Sequence, residues 1–303
     1  MAENEAIVSG RRIVDPDTIL DGWKTLLHSG EHLHAPDIAK RLNVSEASLL
    51  AARIGTGALR LRPDASALLS SISEWGRVLC AFSNGSGVHM PLGDLTLEIA
   101  EGGPLRMSGA HMQAEIDAEA VAEAFLFLDK DDSHGNSRSL QFFDESGAPI
   151  VKIFIFHKGR FENMEGGIRS LSAQDQSRTP KPRSTLPAYD PQAVSRKHDR
   201  DQHAFESVGQ DAIESYLPAA SGVAEIEAVS KHARVIWKGV LSSRRFANGM
   251  MHLHEAGLRS HLRMAPLTAA WKTERGGLAI DGAASEEGGD APRLLRLVTE
   301  EAL

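Results

Sequence analysis

The first 73 residues carry the hydrophobic periodicity of short helices. From residue 17 to residue 73 the apolar positions recur every three to four residues, which predicts helices with one buried face. Asp17, Pro36, Ser45 and Pro63 are residue types that begin helices, and each stands at the start of an apolar-faced run. The pattern therefore predicts four short helices.

From Arg77 the apolar period changes to that of β-strands. Six segments of alternating or continuous apolar residues follow, separated by Gly, Pro, Asn and Asp: RVLCAFS, GVHM, DLTLEI, AFLFL, SLQFFD and PIVKIFIF. Short strands joined by turn residues are typical of antiparallel sheets. The helices and this sheet together predict a first α+β lobe over residues 17–160.

Residues 161–200 lose this periodicity. They collect four prolines among Ser, Gln and Arg, and the stretch from 157 to 200 holds nine basic and five acidic residues. We interpret residues 161–200 as a basic, Pro/Ser-rich linker.

After the linker the pattern repeats. Arg77-Val78 aligns with Arg234-Val235, the segment from Ala120 with the one from Pro266, and the segment from Ser146 with the one from Gly289. IDGAASEEGGD stands where the first copy has SLQFFDE, and its composition predicts a poor strand. Residues 201–303 are thus expected to form a second, truncated and degenerate lobe, with a cleft between the two lobes.

Composition narrows the class of protein. The 303 residues are 42% hydrophobic and 24% charged, and the net charge of −8 argues against a general nucleic-acid coat. The single cysteine, Cys80, excludes an internal disulfide framework and a Cys-x-x-Cys-His haem attachment, and it fits a reducing cytoplasm. The sequence shows no signal-peptide pattern and no apolar run near the roughly 18 residues of a membrane helix.

One early segment invites a DNA-binding interpretation. DIAKRLNVSEASLLAARIG has the form of a helix-turn-helix with its recognition helix at residues 45–54. That helix carries only Arg53 as a base, beside Glu46, so attraction to phosphate is missing. A helical hairpin that packs on the sheet is favoured.

Several of the 13 histidines have suggestive spacings. His252 and His254 flank Leu253 in a strand-like stretch, as His32 and His34 flank Leu33, and residues two apart in a strand share a face. Two imidazoles can start a zinc or copper site, but no third ligand stands at a convincing spacing, which favours a polar sheet face.

The linker region holds two further histidines of interest. His198 and His203 lie in KHDRDQHAFESVGQDAIESY, and a helix capped by Asp201 would place His203 in its first turn. A neutral imidazole there suits axial ligation of haem iron, whereas the alternative is a solvent-exposed linker histidine. No G-x-S-x-G or G-x-x-x-x-G-K-[ST] motif is present.

Four segments, in order, resemble the bacterial cytoplasmic haem-handling proteins of the HemS/ChuX type. They are residues 37–55 followed by 62–84, the stretch EAFLFLDKDDSHGNSRSLQFFDESGAPIVKIFIF, the DQHAF junction and SHLRMAPLTAAWKTE. The resemblance implies an α+β tandem repeat, each copy a helical cap with a large antiparallel sheet, and haem held in the interlobe cleft. It also implies a role in haem transport and iron acquisition, with haem degradation in some members.

The resemblance carries over to few residues. The family's axial histidine lies in a pattern like Asp-x-His-x-Phe, which here is Asp201, His203 and Phe205, so His203 is the expected iron ligand and Phe205 its neighbour in the site. His198 is the substitute ligand if the register is displaced.

The family's haem-facing arginine has no counterpart. Its Thr-Arg-Asn triplet corresponds here to Phe82-Ser83-Asn84, which puts oxygen activation in more doubt than haem binding. Arg244, Arg245 and Arg263 are chemically able to replace that arginine as partners of the haem propionates.

The sequence thus predicts a cytoplasmic haem carrier whose cofactor or cargo is iron protoporphyrin IX. A haem importer or a haem oxygenase is the expected delivery partner, membrane insertion is not expected, and degradation of haem stays open. Two alternatives remain at this point: a haem- or iron-linked regulator that binds DNA through its first helices, and a degenerate relative that binds no haem.

Overall fold

The computed structural model describes most of the chain. The described residues are 7–8, 11–12, 14–31, 33–84, 87–99, 103–129, 137–156, 158–179, 206–208, 222–242, 244–247, 249–263, 267–272, 278–283 and 293–299. The chain forms two compact units, one from residues 1–69 and 118–187 and the other from residues 70–117 and 188–303.

The first unit contains the helices longer than one turn that the structure describes. These are α1 Pro16–Leu27, α2 Ala35–Arg41, α3 Glu46–Ala52, α4 Ala65–Leu69 and α5 Lys158–Ser170. Asp15, rather than the expected Asp17, caps α1 by accepting from the backbone N–H of Thr18 at 3.0 Å. Ser45 caps α3 as predicted, accepting from the backbone N–H of Ser48 at 3.1 Å.

A sheet in this unit packs against the helices. Its four strands follow the order β11-β10-β9-β3, all antiparallel. Their bounds are β3 Ala58–Leu61, β9 Glu123–Asp129, β10 Ser137–Phe143 and β11 Pro149–Ile155. Phe125 and Phe143 from the sheet join Trp23, Ile38 and Leu49 from the helices in one buried core. A separate short pair, β1 Ile7–Val8 and β2 Arg11–Arg12, precedes α1.

The second unit contains two arrays of antiparallel strands. In the first array the order is β15-β16-β17-β5-β4. Its strands are β4 Val78–Asn84, β5 Gly87–Gly93, β15 Arg244–Ala247, β16 Met250–Glu255 and β17 Leu258–Arg263.

The other array is a nine-stranded sheet of order β12-β18-β19-β20-β13-β14-β8-β7-β6. Its strands are β6 Thr96–Ile99, β7 Leu105–Gly109, β8 Met112–Ile116, β12 Glu206–Val208, β13 Gly222–Val229, β14 Ala233–Leu241, β18 Leu267–Lys272, β19 Leu278–Ala283 and β20 Arg293–Thr299.

The strand pairing confirms an internal repeat. The order β3-β9-β10-β11 has its counterpart in β12-β18-β19-β20, and β4-β5-β17-β16-β15 has its counterpart in β13-β14-β8-β7-β6. Strand β11 begins at Pro149 and β20 at Arg293, 144 residues later. In this comparison the counterpart of β4 is β13. The sequence alignment paired Val78 of β4 with Val235 of β14, so it was wrong by one strand. The fold is α+β with large antiparallel sheets, as predicted.

The two copies exchange three strands. Strands β6–β8 of the first copy extend the sheet of the second through β8 and β14, where Ala114 pairs with Val235. Strands β15–β17 of the second copy extend the array of β4 and β5, where His261 pairs with Val88. Because these pairings join distant parts of the chain, the compact units do not follow chain order.

Two expectations about weak segments are wrong. Residues 161–170, assigned to the linker, form most of α5, because Phe161 and Ile168 are buried. The strand expected to be poor is present as β19, since it pairs along both sides with β18 and β20. Residues 180–200 of the expected linker lie outside the described residues. None of the helices in the described part of the chain has the length and hydropathy to cross a bilayer.

Arg60 secures the segment that follows α5. Its Nη1 donates to Glu123 Oε1 at 2.6 Å, and its Nη2 donates to the carbonyl oxygens of Ser177 and Thr179 at 2.9 and 2.8 Å. Both side chains of the ion pair are almost fully buried, at 5% and 4% exposure.

Replacing Arg60 should therefore destabilise the fold strongly. Arg60→Met leaves the Glu123 carboxylate buried without its cation, and we expect a loss of about 3–5 kcal/mol in the free energy of unfolding, measured by urea denaturation. Arg41→Met breaks the exposed Arg41–Glu31 pair and is the matched control, with little expected effect. Equal destabilisation by the two variants would contradict a structural role for the buried pair.

His89 is a buried histidine in β5 whose charge state affects stability. It is 2% exposed, its Nδ1 lies 3.1 Å from Ser260 Oγ, and burial lowers its pKa from 6.5 to about 4. Between these two pH values the unfolded chain binds a proton at this residue that the folded chain does not bind.

Stability should consequently fall as the pH decreases from 6.5 to 4. The contribution of His89 over that window is at most about 3 kcal/mol, and it is absent above pH 6.5, where both states are neutral. His89→Leu should flatten the dependence of unfolding free energy on pH in that window. Parallel curves for parent and variant would show that the buried imidazole is not the cause.

Candidate functional site

The residues that the sequence singles out fall into two groups. His198, His203 and Phe205 lie outside the described residues, so their roles stay predictions. Arg244 and Arg245 lie in β15, and Arg263 ends β17. The side chains of Arg245 and Arg263 are exposed.

Strand register brings Arg245 into line with two histidines. Arg245 pairs with His252, His252 with His261, and His261 with Val88. Val88 in turn pairs with Ser83 on β4. Paired residues in antiparallel strands point to the same face, and neighbouring strands lie about 4.8 Å apart, so this row crosses five strands over roughly 19 Å.

Alternate residues along each strand extend that face. Arg263 pairs with Met250, and Arg259 pairs with both His254 and Met90. We call this surface the histidine face; its members are Val88, Met90, Arg245, Met250, His252, His254, Arg259, His261 and Arg263. The opposite face of the same strands is buried, with Met251, Leu253, Leu258 and Leu262 each at 1% exposure or less. Burial of one side fixes which residues the other side presents.

The charge of the histidine face is opposite to that of the whole chain. Among its described members it carries three arginines and no carboxylate, in a protein with a net charge of −8. Val88 and Met90 on β5 are half-buried and apolar. An apolar stripe beside guanidinium groups suits a flat apolar ligand that carries carboxylates.

His252 and His261 interact directly. Their Nδ1 atoms are 2.7 Å apart and their ring centroids 4.9 Å, and both side chains are half-buried. The ring of His254 lies 5.8 Å from that of His261. A short contact between two ring nitrogens requires one to donate and the other to accept, so the pair shares a proton.

The backbone of β17 is held close to β5 at this point. Gly87 has φ of +152°, and a Cβ atom there would meet the carbonyl oxygen of His261. Because glycine has no Cβ atom, the backbone of β5 at Gly87 can lie close to the backbone of β17 at His261, and His261 can pair with Val88.

A site for a bare metal ion is not found here. No group of three or more His, Cys, Asp or Glu side chains in the described parts of the chain is arranged to hold a metal ion. Cys80 is fully buried, and burial raises the pKa of its thiol to about 12, so it offers no thiolate. Haem iron needs only one or two protein ligands, because the porphyrin supplies four nitrogens.

The position of the missing arginine also lies in this array. Ser83 is at the β4 end of the row that contains His261 and His252. Its neighbour Asn84 donates from Nδ2 to the carbonyl oxygen of Val229 at 2.9 Å. The row of paired residues that crosses the histidine face thus begins at Ser83, where the sequence resemblance places the lost arginine.

Only part of this face was predicted from the sequence: the spacing of His252 and His254 was recognised, but His261 and Arg259 were missed. The short connection Ala256-Gly257 between β16 and β17 is the sequence feature that could have indicated a hairpin with His252 opposite His261. Gly257 adopts a φ of +73° there, as turn glycines do.

The helix-turn-helix segment is a packed helical hairpin. Helix α3 buries Ala47, Leu49, Leu50, Ala51 and Ala52, five of its seven residues. Glu46 at its start forms an ion pair with Lys152 of β11. The supposed recognition helix therefore faces the protein core and not a DNA groove. Of the other early histidines, His34 precedes α2 and its backbone N–H donates to Asp37 at 3.0 Å, whereas His32 lies outside the described residues.

Comparison with known proteins gives sequence relatives first. Residues 43–167 match the sequence profile of the haemin-degrading HemS/ChuX domain. The hemin transport protein HmuS of Yersinia pestis is 28% identical over 185 residues, which are 60% of this chain and 53% of that protein. The hemin transport protein HemS of Yersinia enterocolitica is 30% identical over 123 residues, 40% of this chain and 35% of that protein. These matches span about half and about a third of the relatives' length.

Solved structures share the fold over nearly the whole chain. Holo-PhuS, a heme-binding protein from Pseudomonas aeruginosa, superposes with a TM-score of 0.76 at 19% identity, over 96% of this chain and 95% of that one. ChuS, a heme-degrading enzyme of Escherichia coli O157:H7, gives a TM-score of 0.76 at 17% identity, over 95% of both chains. The sequence profile thus identifies a HemS/ChuX domain over residues 43–167, and the solved structures share the fold over nearly the whole chain.

Proposed function

We propose that the protein binds haem and carries it, with the histidine face forming part of the binding surface. The observation that carries this proposal is the local chemistry of that face: three imidazoles and three guanidinium groups beside half-buried Val88 and Met90. The names of the relatives support the same ligand, since two are hemin transport proteins and the structural neighbour PhuS is a heme-binding protein.

The described residues fit the requirements of haem. A haem presents a flat apolar ring, an iron that accepts nitrogen ligands, and two propionate carboxylates. Arg245 and Arg263 are exposed on the face and are the propionate partners in this proposal. Arg244, the third arginine expected from the sequence, pairs with Leu253 on the opposite face of these strands, so its register places it off the histidine face.

His203 remains the axial ligand that the family resemblance implies, with Phe205 beside it and His198 as the substitute. In this proposal the protein acts in the cytoplasm, where it takes haem from an importer and delivers it to a protein that stores or degrades it. A carrier role is favoured over degradation because serine replaces the family's haem-facing arginine at position 83. Bound haem would supply its iron as the redox-active centre, so a carrier must shield it from reductants and oxygen.

Hemin titration tests the proposal. We expect a saturable shift of the Soret band in the parent protein, and a dissociation constant roughly tenfold higher for each of Arg245→Gln and Arg263→Gln, because each removes one charge-assisted contact to a propionate. Arg106→Gln is the matched control, since Arg106 is an exposed arginine that pairs with Glu115 on the other sheet of the unit. No Soret shift in the parent would overturn the proposal. Equal weakening of hemin binding by all three variants would show that Arg245 and Arg263 are not specific partners of the propionates.

Reduction under air separates carriage from degradation. When ascorbate is added to the hemin complex, we expect the Soret band to persist with no bilin product, as a carrier requires. Steady loss of the Soret band with formation of bilin would identify a degrading enzyme instead. His203→Ala, measured in the same assay, should weaken or change the haem spectrum if His203 is the axial ligand.

A further inference from the structure

The His252–His261 pair has a chemical asymmetry that follows from its geometry. The Nδ1 atoms are 2.7 Å apart, so one ring carries a proton on Nδ1 and the other presents its Nδ1 lone pair. In a neutral pair, the ring that donates through Nδ1 has its remaining lone pair on Nε2. Such an imidazole is ready to bind a metal through Nε2.

This arrangement is the one that metal-ligating histidines adopt in proteins. A ligating imidazole almost always donates its other N–H to an acceptor, which fixes the tautomer and the ring orientation and raises the basicity of the ligating nitrogen. The acceptor is usually a carboxylate or a carbonyl. Here the Nδ1 atom of a neighbouring histidine takes that place.

The surroundings limit which metal the pair can take. A bare divalent cation needs three or four protein ligands, and no such group occurs among the residues described. Haem iron brings four nitrogens of its own, so one further imidazole suffices. Arg245 and Arg263 lie in register beside the pair, as His252 pairs with Arg245 and Met250 pairs with Arg263.

We propose that His252 is an axial ligand of haem iron through its Nε2, and that His261 is the positioning residue that accepts the proton on His252 Nδ1. This inference rests on the proposed function and adds a ligand to it. Arg245, one strand away from His252, lies in the same row as the ligand.

The variants separate ligation from a general effect on the face. We expect the visible and electron paramagnetic resonance spectra of the parent ferric hemin complex to show an imidazole ligand on the iron. His252→Ala should change both spectra and speed the release of haem at least tenfold. His28→Ala is the matched control, since His28 is an exposed histidine at the end of α1 and outside the histidine face, and its spectrum should equal that of the parent.

Variants at position 261 test the positioning role. His261→Asn keeps an acceptor for His252 Nδ1 and should preserve the parent spectrum, whereas His261→Leu removes the acceptor and should change it. Added imidazole should restore the parent spectrum in His252→Ala. Far-ultraviolet circular dichroism of the apoproteins checks the fold, and His252→Gln replaces His252→Ala should the latter unfold.

The outcomes distinguish this inference from the proposed function. If the parent binds no hemin, the proposed function fails and the inference fails with it. If the parent binds hemin and His252→Ala and His252→Gln retain its spectrum and its rate of haem release, only the inference is overturned. Identical behaviour of His261→Asn and His261→Leu would overturn the positioning role of His261 alone.

Discussion

The antiparallel register between β16 and β17 is the constraint on which the candidate site depends. It places His252 opposite His261 and Met250 opposite Arg263. A displacement of the register by one residue would expose Leu253 and Leu262 to solvent and bury the histidines. The fold would then lose the free energy gained by burying these leucine side chains. The buried leucines on one side of these strands therefore specify the cationic surface on the other.

Strand exchange between the repeats is what makes this surface. Strands β15–β17 come from the second copy, yet they extend the array that begins with β4 and β5 of the first. Arginines and histidines from one copy thus lie beside Val88 and Met90 from the other. A duplicated chain can in this way build one composite face from two halves whose sequences have diverged, and the charge of that face can differ from the charge of the whole.

The sequence predicted much of the fold and only part of the site. Apolar periodicity identified α1 to α4, Ser45 correctly marked the start of α3, and SLQFFD and PIVKIFIF were recognised as the strands that became β10 and β11. Phe161 and Ile168 could have indicated α5, but Gly166 and Gly167 between them weaken the helical signal. The weak composition of β19 is compensated by pairing on both sides, which no local pattern reports. The exchange of β6–β8 with β15–β17 depends on contacts more than 100 residues apart in the chain, such as His261 with Val88.

The candidate site was harder to predict because its central pair joins two strands. His261 is separated from His252 by a turn of Ala256 and Gly257, and Ala-Gly lacks the Asn-Gly or Asp-Gly signature of tight hairpins.

The position of iron in the hemin complex is the most direct test of haem binding at the histidine face. Anomalous diffraction at the iron edge should place the metal above β16 and β17, within bonding distance of His252 Nε2. Iron bound at a site remote from these strands would contradict it.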